Sequence, residues 1–174
     1  MDRPTTVIQD QRVAIIGAGV SGLGIGWRLA QAGCQVVIFD RGAAGRGASW
    51  AAAGMLAARA EAEPGEEALL SLNLQAQKIW PVFAKELEAA SGRTIGYRDE
   101  GTLIVAPTRD DAEQLRFTYE YQKSQGLDVH WLNAAEVRRR EPYLAPGLSG
   151  GVFSPGDHQV DNRELSLALK TAFL

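Results

Sequence analysis

The stretch RVAIIGAGVSGLGIGWRLAQAGCQVVIFDR, residues 12–41, decides the fold. An apolar run at residues 13–16 predicts a buried parallel strand, and the spacing Gly-x-Gly-x-x-Gly begins directly after it at Gly17. Apolar residues at helical spacing follow, and a second β-rich run at residues 36–39 ends in Asp40. This order predicts an α/β unit in which two parallel strands flank one helix.

Each glycine of the turn has its own physical role. Gly17 permits a sharp turn out of the strand, Gly19 leaves room for a pyrophosphate near the backbone, and Gly22 allows helix and strand to pack closely. Asp40 follows Gly22 by eighteen residues, close to the spacing of about twenty at which an acid binds the ribose of an adenine dinucleotide. The stretch therefore predicts a Rossmann-like dinucleotide site, and the alternative is a glycine-rich connector in another α/β unit.

Composition excludes several classes of protein. With 174 residues, 45% of them hydrophobic, the chain is of single-domain size and can bury a core. A formal net charge of −3 argues against a basic surface for nucleic acid or for a charged membrane. No apolar run reaches the length of a membrane span, and the residues before Gln11 lack the core of a signal peptide, so we expect a cytoplasmic protein. The single cysteine, Cys34, cannot form a disulfide within the chain and is expected to be buried.

Downstream, the pattern alternates between helices and short strands. Residues 66–91 predict a helix that Pro81 kinks or divides and that Gly92 ends. Residues 95–98 and 102–106 predict two strands joined in a hairpin-like way by a polar turn. The other predicted elements are a helix at residues 109–125, a strand at 129–132, a helix at 134–140 capped by Asn133, an apolar strand before a turn at Pro155 and Gly156, and a helix capped by Asp161 or Asn162.

Three groups of side chains invite a chemical interpretation but favour a structural one. The arginines at residues 138–140 are flanked by glutamates, which is typical of a solvated face rather than a phosphate site. His158 lies between Asp157 and Asp161 but has no second histidine or cysteine nearby, so hydrogen bonds in a turn are favoured over a metal site or a general base. Trp80 is expected to pack in the core.

Residues 41–56, RGAAGRGASWAAAGML, form a glycine- and alanine-rich stretch whose small side chains allow close approach of a partner. Its AAAGM, followed by GTLIVA at residues 101–106 and GDHQVD at 156–161, resembles the FAD-dependent amine oxidoreductases that include D-amino acid oxidase, sarcosine oxidase and the glycine oxidases of thiamine biosynthesis. The likeness covers essentially the whole chain, from Val13 to Phe173. A mobile linker is the alternative interpretation of residues 41–56.

The resemblance implies that FAD is the cofactor and that the loop after Asp40 wraps its ribityl-pyrophosphate part. No metal site is implied, and no catalytic residue is identified. The glycine turn and the resemblance together predict the following cofactor-binding residues: Gly17, Gly19, Val20, Ser21, Gly22, Asp40, Arg41, Ala48, Ser49, Ala53, Gly54 and Met55.

The implied reaction moves a hydride from the α-carbon of glycine, a related small primary or secondary amine, or a D-amino acid to the flavin. The resulting imine hydrolyses to an oxo acid and ammonia, and oxygen is reduced to hydrogen peroxide. Three alternatives stay open: another FAD-dependent amine dehydrogenase, a non-catalytic dinucleotide-binding fragment or module, and an NAD-dependent dehydrogenase. The last is the weakest, because AAAGM and a long insertion do not suit a nicotinamide domain.

Family members are much longer, and their substrate-clamping arginine and tyrosine belong to the part with no counterpart here. The resemblance thus implies a Rossmann-like FAD-binding βαβ unit with an incomplete parallel sheet, plus the beginning of an α+β substrate domain. We assign residues 1–92 to the first, 93–161 to the second, and 162–174 to a helix returning to the first. We expect the isolated chain to be inactive and to form homo-oligomers or to associate with the missing C-terminal half.

Overall fold

The computed structural model describes residues 10–174, which form two compact units of mixed α and β structure. The first unit contains residues 10–54, Val82–Tyr97 and Val160–Leu174, and the second contains Met55–Pro81 and Arg98–Gln159. The predicted α/β class is confirmed. The compact units differ from the ranges assigned from sequence chiefly because residues 55–81 belong to the second unit, and the assignment of the ranges to FAD and substrate stays a prediction.

The first unit contains the predicted strand, helix and strand. Strand β1 (Arg12–Ile16) and strand β2 (Gln35–Phe39) pair in parallel, and helix α1 (Val20–Gln31) connects them. The helix lies close to the sheet because Gly26 has no side chain: a Cβ there would lie 2.7 Å from the Cδ1 atom of Ile38. Cys34 is buried at the entry to β2, as expected.

The apolar runs predicted burial of the two parallel strands on both faces, but in the structure only one face is covered. Ile16 is 92% exposed, Val37 55% and Phe39 58%. Exposure alternates along each strand, so one face of the two-stranded sheet is covered and the other is not. Continuous apolar runs are typical of strands covered on both faces, which is why residues 13–16 predicted a buried parallel strand.

Short elements interrupt the small-residue stretch that was predicted as a loop. Helix α2 (Ala48–Ala51) lies in the first unit, and strand β3 (Met55–Leu56) begins the second. Between them, Gly54 has a φ of +78° and its carbonyl accepts a hydrogen bond from the backbone N–H of Val160. The small side chains therefore permit close backbone contacts within ordered structure.

Helix α3 (Glu67–Ser91) confirms the long predicted helix but not its division at Pro81. The helix is continuous through the proline, and Gly92, at a φ of +66°, follows its end. Residues on either side of Pro81, such as Gln77 and Leu87, are buried. Packing of each part offsets the loss of one backbone hydrogen bond at the proline.

The second unit contains a three-stranded antiparallel sheet. Strand β6 (Gly150–Ser154) lies in the centre, between β4 (Thr102–Ala106) and β5 (His130–Leu132). Helices α4 (Arg109–Ser124) and α5 (Ala134–Arg140) contact this sheet, and strand β7 (His158–Gln159) pairs with β3. A buried hydrophobic cluster of this unit consists of Ala62, Leu70, Leu127, Val129 and Val152.

The predicted strand at residues 95–98 and its hairpin with β4 are wrong. Apart from one bridge between Arg98 and Gln159, these residues form no strand, and β4 pairs with β6 instead. Fully buried Ile95 uses its backbone groups elsewhere: its N–H donates to the Glu88 carboxylate, and its carbonyl accepts from the N–H of Asp161. Because these groups already have partners, they are not free to pair with a neighbouring strand.

The predicted helix starts are confirmed. Asn133 and Glu136 form the expected capping box of α5. Asp161 caps helix α6 (Asn162–Phe173) by accepting hydrogen bonds from the N–H groups of Arg163 and Glu164. These local contacts involve residues two or three positions apart, which is why the sequence pattern predicts them.

Candidate functional site

The glycine turn between β1 and α1 is the centre of the candidate site. Gly17 has a φ of +104°, and its N–H donates to the carbonyl of Phe39 at 2.7 Å. A Cβ on Gly22 would overlap the carbonyl oxygen of Gly17, so the turn closes only with glycine at this position. Gly22 therefore allows the helix to approach the turn itself as well as the strand.

The carboxylate of Asp40 holds this turn in place. Its Oδ2 atom accepts from the N–H of Ala18 at 2.7 Å, and its Oδ1 atom accepts from the N–H of Gly42 at 2.8 Å. The hydrogen bond from Ala18, followed by that from Gly42, lowers the pKa of Asp40 below its ordinary value. Sequence reasoning assigned Asp40 to a ribose and missed this second role. An aspartate two residues before a glycine was the available local signal for the bond to Gly42.

The N-terminus of α1 has no acidic side chain of its own. Its N-cap, Gly19, supplies no side-chain hydrogen bond, and the first turn contains no aspartate or glutamate. Instead the N–H of Val20 donates to the hydroxyl of Ser49 at 2.9 Å. A Cβ on Gly19 would lie 3.2 Å from the same hydroxyl oxygen. Three predicted residues, Gly19, Val20 and Ser49, are thus brought together.

The other predicted residues lie at several places along this part of the chain. Ser21 is exposed in the first turn of α1, Arg41 is exposed after β2, and Ala48 begins α2. Ala53 is exposed, whereas a Cβ on its neighbour Gly54 would overlap the carbonyl of Val160. Met55 is half exposed and belongs to the second compact unit. Contact of any of these residues with FAD stays a prediction.

Sequence reasoning also missed Asn162, which positions Ser49. The Asn162 side-chain amide donates to the carbonyls of Ser49 at 2.8 Å and Trp50 at 2.9 Å. Its partners are more than 110 residues away, so no local pattern could have identified the contact. The guanidinium of Arg46 lies 3.7 Å from the centre of the Trp50 ring, which supports the same short helix.

The acids near His158 have structural partners. Fully buried Asp157 accepts hydrogen bonds from the N–H groups of Arg59 at 3.0 Å and Ala60 at 2.7 Å, and from the Gln77 amide at 3.1 Å. Asp161 caps α6, and His158 lies in strand β7. Within residues 10–174, no group of three or more histidine, cysteine, aspartate and glutamate side chains is placed to hold a metal ion.

These features fit the pyrophosphate of an adenine dinucleotide. Neighbouring atoms leave little room for a Cβ at Gly19 or Gly22, so glycine at both positions leaves the turn without side chains there. The N-terminus of α1 contributes N–H groups and the positive end of the helix dipole. The Ser49 hydroxyl accepts from Val20 and retains its own proton, which it can donate to a phosphate oxygen.

In the part of the chain that the structure describes, no helix is both long and apolar enough to cross a lipid bilayer.

Comparison with known proteins agrees with this geometry. Residues 12–174 match the model of the DAO family of FAD-dependent oxidoreductases. The chain is 40% identical over 161 residues to the glycine oxidase of Geobacillus kaustophilus, covering 92% of this chain and 42% of that protein. It is 35% identical over 159 residues to a putative thiamine biosynthesis oxidoreductase, ThiO, of Rhizobium etli, covering 91% of this chain and 44% of that protein.

Solved structures give the same result. The crystal structure of the Geobacillus kaustophilus glycine oxidase superposes with a TM-score of 0.87 at 39% identity, covering 94% of this chain and 44% of that one. The glycine oxidase of Bacillus cereus superposes with a TM-score of 0.84 at 32% identity, covering 95% of this chain and 44% of that one. The chain spans less than half the length of these relatives. It belongs to the DAO family of FAD-dependent oxidoreductases, and the resemblance to the glycine oxidases is confirmed.

Proposed function

We propose that this chain supplies the dinucleotide-binding part of an enzyme that uses FAD to oxidise glycine or a related small amine or D-amino acid. The observation that carries the proposal is the turn in which Gly22 closes on Gly17 and Ser49 lies at the start of α1. The 40% identity to a glycine oxidase supports the choice of substrate class. The likeness to ThiO supports a role in thiamine biosynthesis.

Bound FAD would supply the acceptor for the hydride. The protein's task is to bind and orient that cofactor. Gly19 leaves the backbone open to the pyrophosphate, and Ser49 donates its hydroxyl proton to a phosphate oxygen. Asp40 uses lone pairs left free by Ala18 and Gly42 to accept from ribose hydroxyls. The segment from Ala53 to Met55 contacts the flavin portion.

The remaining steps belong to the whole protein. The oxidised amine hydrolyses to an oxo acid and ammonia, and oxygen takes the electrons as hydrogen peroxide. We further propose a cytoplasmic enzyme without nucleic acid or membrane partners, which forms homo-oligomers or associates with a complementary C-terminal portion. The length of the relatives, of which this chain covers 42–44%, supports the last point.

Two glycines of α1 give a matched test of FAD binding. Gly22→Ala would place a Cβ against the Gly17 carbonyl, whereas a Cβ on Gly24 meets no atom within 4 Å. We expect Gly22→Ala to abolish retention of flavin, measured by its visible absorbance, and Gly24→Ala to retain it. Alanine is the better helix former, so the control should fold at least as well as the parent chain. Full flavin occupancy in Gly22→Ala would exclude this turn as the cofactor site.

A further inference from the structure

Arg140 differs from the two arginines that precede it. Its guanidinium carbon lies 3.7 Å from the centre of the Phe153 ring, at stacking distance. Arg139, by contrast, is exposed and reaches the Glu136 carboxylate at 3.9 Å. Within residues 10–174, Arg140 has no ion-pair partner. An arginine that lies over an aromatic ring uses the flat face of the guanidinium and leaves the N–H groups along its edge available.

Arg140 and Phe153 line a concavity of about 540 Å³ that lies wholly within the second unit. Arg98 and Gln159 also line it, and the backbones of these two residues pair with each other. Arg98 already has a carboxylate partner, Glu100, at 2.5 Å. The unpaired guanidinium of Arg140 is therefore the strongest free hydrogen-bond donor in this concavity.

The floor of the concavity is fixed by backbone packing. Leu103 of β4 lies opposite Phe153 of β6, so both side chains emerge on one face of the sheet. Gly101 has a φ of +90°, and a Cβ there would lie 2.7 Å from Cε2 of Phe153. The glycine thus leaves room for the ring on which Arg140 stacks.

The arrangement favours a carboxylate. The guanidinium edge presents two parallel N–H groups, which match the two oxygens of a carboxylate, and the Gln159 amide can add another donor. Glu100 and Glu141 also line the concavity. Their negative charges balance the two arginines, which favours a ligand with both a carboxylate and an ammonium group over a multiply charged anion.

We propose that Arg140 and Phe153 form a binding site for the carboxylate of a small amino acid, with Glu141 positioned to attract its ammonium group. None of the residues around this concavity belongs to the predicted cofactor set. The site therefore goes beyond the proposed FAD-dependent oxidation, and glycine binding here does not require FAD.

The test uses the whole chain without FAD, titrated with glycine while the arginine Nε–H signals are followed by 1H–15N NMR. Ethylammonium chloride and inorganic phosphate, at matched ionic strength, serve as probes that lack a carboxylate. We expect a saturable shift of the Arg140 signal with glycine, none with ethylammonium, and weaker binding of phosphate. Absence of a saturable shift, or tighter binding of phosphate than of glycine, would overturn the proposal.

The neighbouring arginine provides the matched control. Arg140→Gln should weaken glycine binding about fivefold or more, since hydrogen bonds to a charged group are lost. Arg139→Gln removes the same charge from the same helix and should change the affinity for glycine by less than about twofold. Equal loss in the two variants would show that only the general positive charge matters, and would contradict the proposed site.

A second pair of variants separates binding from folding. Arg140→Lys keeps the charge and the long side chain but loses the planar fork, so glycine should bind more weakly although the chain unfolds with an unchanged denaturation midpoint. Phe153→Leu removes the ring and should also weaken glycine binding. If Arg140→Lys bound glycine as tightly as the parent chain, a bidentate carboxylate site would be excluded.

Discussion

Asp40 shows at the scale of one residue how structural and functional roles combine. The carboxylate accepts hydrogen bonds from Ala18 and Gly42, so it holds the turn through which the chain would contact a pyrophosphate. Each oxygen still has capacity for another donor. The ribose contact predicted from sequence and the turn contact seen in the structure therefore do not exclude each other.

The ribose contact of Asp40 can be tested with two ligands that differ by one hydroxyl. If the carboxylate accepts from the 2′-hydroxyl, the parent chain should bind ADP about tenfold more tightly than 2′-deoxy ADP. Asp40→Ala should bind both ligands equally and more weakly, because the ribose acceptor and the support of the turn are both lost. Calorimetric titration measures the four affinities. Unchanged discrimination in Asp40→Ala would show that this side chain does not face the ribose.

The lowered pKa of Asp40 predicts how its contribution to stability depends on pH. Its pKa in the folded chain lies below the ordinary value of 3.8, so the charged form is favoured by folding. The contribution is therefore fully present above pH 3.8 and is lost as the pH falls through the lower folded pKa. The difference in unfolding free energy between the parent chain and Asp40→Asn should shrink over that acidic range. A difference that stayed constant on acidification would contradict this linkage.

At the scale of elements, local signals explain most of what the sequence predicts. The capping box at Asn133 involves neighbouring residues, and the structure contains it as expected. Residues 95–98 do not form the predicted strand because Glu88 and Asp161 hydrogen-bond the backbone groups of Ile95. No periodic pattern in the sequence indicates these contacts. The continuity of α3 through Pro81 likewise depends on packing rather than on local preference.

The buried carboxylate of Asp157 tests the importance of such distant contacts. Asp157→Leu would leave the backbone N–H groups of Arg59 and Ala60 without their acceptor and would remove one of the two acceptors of the Gln77 amide. We expect the unfolding free energy to fall by about 3 kcal/mol, because buried donors would lose hydrogen bonds and the Arg59 guanidinium would lose a nearby countercharge.

Chemical denaturation of Asp157→Leu measures this change. Asp99→Leu, at an exposed position in the same unit, is the control and should change the unfolding free energy by less than about 0.5 kcal/mol. Equal stability of the parent chain and Asp157→Leu would show that the network around Asp157 does not stabilise the second unit.

For the whole molecule, the sequence predicts the parallel βαβ unit and the positions of the three strands that form the antiparallel sheet of the second unit. It predicts neither the pairing of those strands nor the compact units themselves. Residues 55–81 join the second unit through contacts such as that of Arg59 with Asp157, which are about a hundred residues apart. Of the candidate site, the glycine turn was predictable because each step is local. The placement of Ser49 by Asn162 was not, because it depends on the folded path of the chain.

Turnover by the 174-residue chain is the prediction at this scale. The exposed apolar faces of Ile16 and Phe39, and relatives more than twice as long, lead us to expect no oxidation of glycine, sarcosine or D-alanine by this chain alone. Peroxide release from a monodisperse sample with added FAD measures this directly. Robust turnover would place the complete substrate site within these residues.

The contact between Ala60 and Asp157 also has a consequence for synthesis. The two residues are 97 positions apart, so the acceptor for the N–H of Ala60 does not exist when that part of the chain leaves the ribosome. At about 5–20 residues per second, the delay is on the order of 5–20 s. Until then, the segment around Ala60 must satisfy its backbone groups with water, and this is the interval in which a cellular protease or chaperone would meet it.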